Sequence, residues 1–198
     1  MRFVFVLLVA CAHRPAVQPV DPVRVEVERA EDAEKRRSHD EARTHYERAI
    51  ALAKDPKQAA FAHRELGEQL LVWGEIDSGR AHLETSIRAN GSDPMTWQML
   101  GFARLALGDV PGAFAALERS KQLAPRVYLP RRDLAALHWK LAEGRHADPD
   151  PAVAAQHRAA ALREYQDMLE LDMPARVREK VKWAIEVLSK PAAAGPSS

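Results

Sequence analysis

Residues of one type return at intervals of 34 along the middle of the chain. Leu66-Gly67 is followed by Leu100-Gly101, Gly74 by Gly108, Leu83 by Leu117 and Ser86 by Ser120; Leu134-Ala135 is a third copy of the first pair with alanine in the glycine's place. A unit of that length holds one pair of helices, which cannot bury its apolar face alone and does so by stacking on its neighbours. The second helix of the unit reads Ala113, Leu117, Ser120. Small residues there let the two helices approach closely, and the leucine fills the gap towards the next unit. Gly74 and Gly108 fall where the first helix must end, and Glu75 and Asp109 open the turn. Pro111 stands at the start of the following helix, where a missing N–H costs nothing.

The segment WQMLG, residues 97–101, satisfies the W-x2-L-G start of a known repeat, and with the 34-residue spacing the chain resembles the tetratricopeptide repeat family. The tyrosine of that pattern is replaced by Arg104, and by Leu70 one repeat earlier. The resemblance covers about residues 25–174 and is clearest over 60–93 and 94–127. Residues 40–56 match a second helix through Ala42, Tyr46, Ala49 and Leu52, after a charged, weakly apolar first helix over 25–37 that reads as an exposed terminal repeat. The fourth unit is stretched. Its first helix begins near Pro130 with Leu134, Leu137, Trp139 and Leu141, and its second spans 152–171 with Ala161, Tyr165, Met168 and Leu171 on one face. Ala161 comes 14 residues later than a strict repeat would place it, so the intervening segment lengthens the loop or the helices. Pro174 then opens a last helix with Val177, Val181, Ala184, Ile185 and Leu188 in one stripe and Arg176, Lys180 and Lys182 keeping the other side polar. The resemblance implies an all-α, right-handed helical solenoid of about four helix pairs plus a C-terminal capping helix over 25–190, with 191–198 as a disordered tail.

In tetratricopeptide proteins the first helices of successive repeats line a groove that holds a partner segment. Carried over residue by residue, that groove takes Arg64, Glu68 and Leu71 from one repeat, Gln98, Phe102 and Leu105 from the next, and Arg132, Ala136 and Trp139 from the stretched one. The resemblance thus implies an apolar floor of Leu71, Phe102, Leu105 and Trp139 with Arg64, Glu68 and Arg132 as polar handles, suited to a peptide or helix with a few large side chains. Isolated apolar residues are also common on surfaces, and Phe102 and Leu105 equally fit packing between repeats. Some family members clamp a C-terminal carboxylate with lysine and asparagine. The matching positions here hold Arg64 and Glu68, Gln98 and Phe102, Arg132 and Ala136, and the asparagines are missing.

Composition narrows the function classes. With 29 basic and 28 acidic residues, interspersed, the chain lacks the clustered basic footprint of a nucleic-acid binder. Eight histidines are scattered, and no HExxH, Cys/His metal spacing or Gly-rich phosphate loop occurs. Ser38-His39-Asp40 holds triad residue types as sequence neighbours, which cannot face one another as a triad must; it reads as a helix–helix corner capped by Asp40. Asp148 and Asp150 read as a turn and a helix cap. No catalytic residue, metal, cofactor or small-molecule substrate is expected; the expected partner is a protein.

The single cysteine, Cys11, follows the apolar run 3–10, which is too short to span a hydrocarbon core but fits a secretory signal. Leu8-Val9-Ala10-Cys11 resembles a bacterial lipobox, which implies removal of residues 1–10 and acylation of Cys11. Pro15, Pro19 and Pro22 make 11–24 an extended tether. Two other readings fit the same residues. Ala10-Cys11-Ala12 matches ordinary signal cleavage, which would release the domain into the periplasm or beyond; an unprocessed terminus would leave a cytoplasmic scaffold or an enzyme's regulatory subunit. The lipobox reading, with Ala12 rather than aspartate after the cysteine, leads to an outer-membrane lipoprotein facing the periplasm. Its layout is similar to that of the small lipoproteins that assist type IV pilus secretins. The expected outcome is that the full chain made in a bacterial host partitions into the detergent phase and Cys11→Ser into the aqueous phase.

Overall fold

The computed structural model describes residues 20–144 and 150–190. Cys11, the signal segment, most of the tether, Asp148 and the tail lie outside the described residues. Within them the chain forms α1 (Pro22–Lys35), α2 (His39–Leu52), α3 (Pro56–Val72), α4 (Ile76–Ala89), α5 (Pro94–Ala106), α6 (Val110–Leu123), α7 (Tyr128–Ala142), α8 (Pro151–Met168) and α9 (Ala175–Ser189), with no strand among the described residues. Packing is heaviest within α1/α2, α3/α4, α5/α6 and α7/α8, and each pair then rests on the next. The core is accordingly a row of local clusters rather than one centre: α1–α3 around Tyr46 and Leu66, Leu83 with Leu100, Leu117 with Leu134, and α7–α9 around Met168.

Four Asp-Pro dipeptides start helices. Asp21, Asp55, Asp93 and Asp150 each accept a backbone N–H of the first turn at 2.8–3.1 Å, while Pro22, Pro56, Pro94 and Pro151 occupy the position where no N–H is needed. The helix stops are equally local. Gly74 and Gly108 adopt φ of +84° and +82°, and the next N–H reaches back five residues, Glu75 to the Leu70 carbonyl and Asp109 to that of Arg104, both at 2.9 Å. Arg37 makes the same turn after α1, with φ +60° and Ser38 N–H on the Ala33 carbonyl at 3.0 Å, but without a glycine.

Within a unit the two helices touch at glycine. A Cβ on Gly67 would lie 2.9 Å from Leu83 Cγ, and one on Gly101 2.9 Å from Leu117 Cγ. The repeated serines finish the contact: buried Ser86 Oγ donates to the Ala60 carbonyl and Ser120 Oγ to the Pro94 carbonyl, each at 2.7 Å. The 34-residue period is therefore carried by one hydrogen bond and one close approach repeated in register.

The structure departs from the sequence expectations in three places. The first helix begins at Pro22, inside the segment read as tether, and is a packed member rather than an exposed one: Val23, Val27, Ala30 and Ala33 are all buried, and buried Glu26 is held by His45 of α2 at 2.7 Å. Its many charges hid a narrow apolar stripe. Asp40 is not the cap of α2; Ser38 holds that position and Asp40 sits in the first turn, where its charge favours the helix dipole. In the stretched unit the extra residues divide between a longer connection and an 18-residue α8, and α9 packs on α8 through Val181, Ala184 and Leu188.

Arg37→Gly is expected to stabilise the chain and Gly101→Ala to destabilise it, each by on the order of 1 kcal/mol, as read by urea unfolding. The first removes a left-handed turn from a residue with a Cβ; the second forces Leu117 aside by more than helix propensity returns.

Candidate functional site

The odd-numbered helices carry the nominated residues, and the structure separates them into two groups. Around α3 they are occupied. Leu71 turns inward: a Cβ on Gly79 would meet its Cδ2 at 2.6 Å, and it packs on the Leu83 cluster. Gly79 leaves room for part of the Leu71 side chain, which stays half-buried at this face. Arg64 is drawn between repeats, with Nε 3.3 Å from Asp93 and its guanidinium over Phe61 at 5.4 Å. Glu68 is half-buried, and burial pushes its carboxyl up, opposed by Arg64. Glu65 is raised in the same way, and buried Tyr46 is raised by burial with Glu65, Glu31, Glu34 and Glu68 around it. This end of the surface is acidic and internally engaged.

On α5 and α7 Phe102 and Arg132 are exposed, while Gln98, Leu105, Ala136 and Trp139 are half-buried. Phe102 is 42% exposed, and with Leu105, Ala136, Leu137 and Lys140 it borders a small crevice between α5 and α7. Leu105 also packs on the cluster around Leu117 and Leu134, so it joins the crevice to the core. The polar link beneath is one that the sequence reading missed. Gln98 donates to Asp133, which also receives Arg132 Nε at 2.8 Å. Asp133 is buried, and burial lifts its carboxyl above the ordinary value against the pull of Arg132 and Gln98. A buried carboxylate held this way locks Gln98 and Arg132 in place. An aspartate on an otherwise apolar stretch, LAALHW following it, was the available signal.

Ala136 continues into a larger cleft of about 630 Å³ between α7, α8 and α9, bordered also by Arg132, Trp139, Tyr165, Lys180 and Trp183. Trp139 and Trp183 lie 5.8 Å apart at 31°, and Tyr165 meets Trp139 edge-on at 6.1 Å. Trp183 is 59% exposed, an expensive placement for so large an aromatic side chain unless something covers it. Sequence reading left Trp183 out because the stripe of α9 points elsewhere; only the fold brings it against Trp139. Among the described residues no cluster of three or more metal-ligating side chains occurs, and no helix is long and apolar enough to cross a membrane.

Comparison with known proteins bears on the fold. No protein-family model and no curated protein matches the chain. Two crystal structures of MamA superpose with TM-scores of 0.56 and 0.55, at 15% and 14% identity, over 76% and 85% of this chain and 82% and 86% of theirs. A candidate protein-binding protein from Bacteroides ovatus superposes with a TM-score of 0.51 at 13% identity, over 84% of this chain and 97% of its own. The fold is a tetratricopeptide-type helical solenoid. At such identities the likeness speaks for the fold alone.

Two histidine pairs tie helices of this tetratricopeptide-type solenoid together. His63 and His82 face each other with Nδ1 atoms 2.9 Å apart, as do His138 and His157, the latter pair stacked on Phe114. One ring of each pair must donate and the other accept, so both rings cannot be protonated without losing the bond. Burial pushes His63 and His82 down, and burial with the nearby His157 lowers His138 to about 4. A histidine depressed in the folded state stabilises above its unfolded value of 6.5 and loses that contribution as pH falls towards 4. The raised carboxyls of Glu65, Glu68 and Asp133 act in the opposite sense and are common to any histidine variant. The thermal midpoint of wild type is therefore expected to fall more steeply between pH 6.5 and 4 than that of His138→Gln, measured by calorimetry in parallel buffers.

Proposed function

We propose that the chain is a protein-interaction scaffold, held in the bacterial cell envelope by a lipid on Cys11, whose work is to bring a partner to an assembly such as a secretion, pilus or motility complex. The observation that carries the binding role is the accessible strip from Phe102 on α5, across Ala136 on α7, to Trp183 on α9: exposed aromatic side chains beside locked polar groups, in a tetratricopeptide-type solenoid. Aromatic and arginine side chains in such positions carry most of the energy of protein recognition.

The lipobox-like tetrad and the proline-containing stretch after it support the anchoring part of the proposal. Together they describe an anchor, a spacer and a docking surface in that order. Affinity capture from membrane fractions with crosslinking tests the scaffold role. Wild type is expected to retain a specific protein that Phe102→Ala loses while keeping its helical circular-dichroism spectrum; equal capture by both would move the binding face away from α5.

A further inference from the structure

We propose that the cleft between α7, α8 and α9 is a recognition site for an acidic peptide segment bearing an aromatic or large aliphatic anchor. The proposal rests on the scaffold reading and adds the chemistry of the segment. Its walls are aromatic, with Trp139 and Trp183 lying 5.8 Å apart and Tyr165 closing the base edge-on, so the space of about 630 Å³ fits one or two large side chains. An aromatic enclosure would also suit an organic cation. Here the charges facing it decide otherwise, because both charged residues on its border, Arg132 and Lys180, are cationic.

The carboxylates of the three helices are committed. On α7, Asp133 is bound by Arg132 and Gln98. On α8, Glu164 pairs with Lys121 at 2.7 Å and Arg131 at 3.0 Å, and Asp167 with Arg131 at 3.2 Å. On α9, Glu179 pairs with Lys182 at 2.9 Å and Glu186 with Lys190 at 2.8 Å. Lys180 has no partner among the described residues, and Arg132 gives Asp133 only Nε–H and one further N–H of its five donors. The border of the cleft therefore carries no carboxylate; Lys180 presents unpaired positive charge beside exposed indole, and Arg132, although its charge is shared with Asp133, keeps further N–H donors for a ligand carboxylate.

The shape favours a chain over a compact molecule. Ala136 borders both this cleft and the crevice that runs to Phe102, so the two form one line across α5, α7 and α9. An extended segment lying along it would seat its anchor between the tryptophans and its carboxylates on Lys180 and Arg132. Burial of the 59%-exposed Trp183 supplies the apolar gain, and the charges set orientation and approach.

Selection of a random-peptide library on the immobilised full-length chain tests this, followed by tryptophan-fluorescence titration of the enriched peptides. Enriched sequences are expected to be net acidic around an aromatic or leucine-type anchor. Their affinity should fall about tenfold or more in Trp183→Ala and in Lys180→Glu, and should weaken as salt rises. Both side chains are exposed, so these variants fold, and an unchanged thermal midpoint checks it. Enrichment of neutral or basic sequences, insensitivity to both substitutions, or no enrichment would each overturn the proposal. So would a concentration-dependent dimer in sedimentation that Trp183→Ala dissolves, since the cleft would then be covered by a second copy. Failure here alongside a partner still captured through Phe102 would leave the scaffold role standing; loss of that capture with acidic peptides still selected would remove the α5 face and keep the cleft.

Discussion

A methyl group on Gly101 would sit 2.9 Å from Leu117 Cγ, and on Gly67 the same distance from Leu83 Cγ. That close approach of two helices is the contact on which the remaining architecture depends. It sets the helices near enough for Ser86 and Ser120 to bond the carbonyls of Ala60 and Pro94, and it turns each leucine into the filler between one pair and the next. Because each unit packs within itself and then rests on its neighbours, the chain propagates as a row of small cores. Asp-Pro starts and left-handed stops then determine where each helix begins and ends.

The accessible surface gains its character where that regularity lapses. In the fourth unit Ala135 replaces the glycine, α8 grows to 18 residues, and α9 follows after a short connection. The aromatic residues of this end, Trp139, Tyr165 and Trp183, come from three helices and meet around one cleft. At the opposite end Glu31, Glu34, Glu65 and Glu68 gather around Tyr46, and Arg64 is absorbed between repeats. The two ends therefore differ in charge and in availability although they are built from the same unit.

Leu71 and Leu105 show what periodicity alone leaves out of a surface position. They occupy the same repeat position, and the sequence assigns both to a groove floor. Across from Leu71 the second helix carries Gly79, which leaves a hollow that the leucine enters; one period later Ala113 stands there, and Leu105, equally half-buried, borders the crevice with Phe102. The first helix is the converse case. Its charges suggested exposure, whereas four small or branched residues on one line, Val23, Val27, Ala30 and Ala33, were enough to bury it.

The sequence by itself determined the all-helical repeat, the pairing of helices, their stops at Gly74 and Gly108, and the faces of α8 and α9, because each is written in residues close together along the chain. It also nominated Phe102, Arg132, Ala136 and Trp139, which do share one accessible strip. Only the tertiary structure decided that Asp133 locks Gln98 to Arg132, that two histidine pairs cross-link helices, and that Trp183 faces Trp139. Apart from the adjacent Arg132 and Asp133, those contacts join residues 19 to 44 positions apart, at separations that depend on how far each helix rotates and how long each loop runs. A repeat period records the average of those quantities, and the site lies where this chain departs from the average.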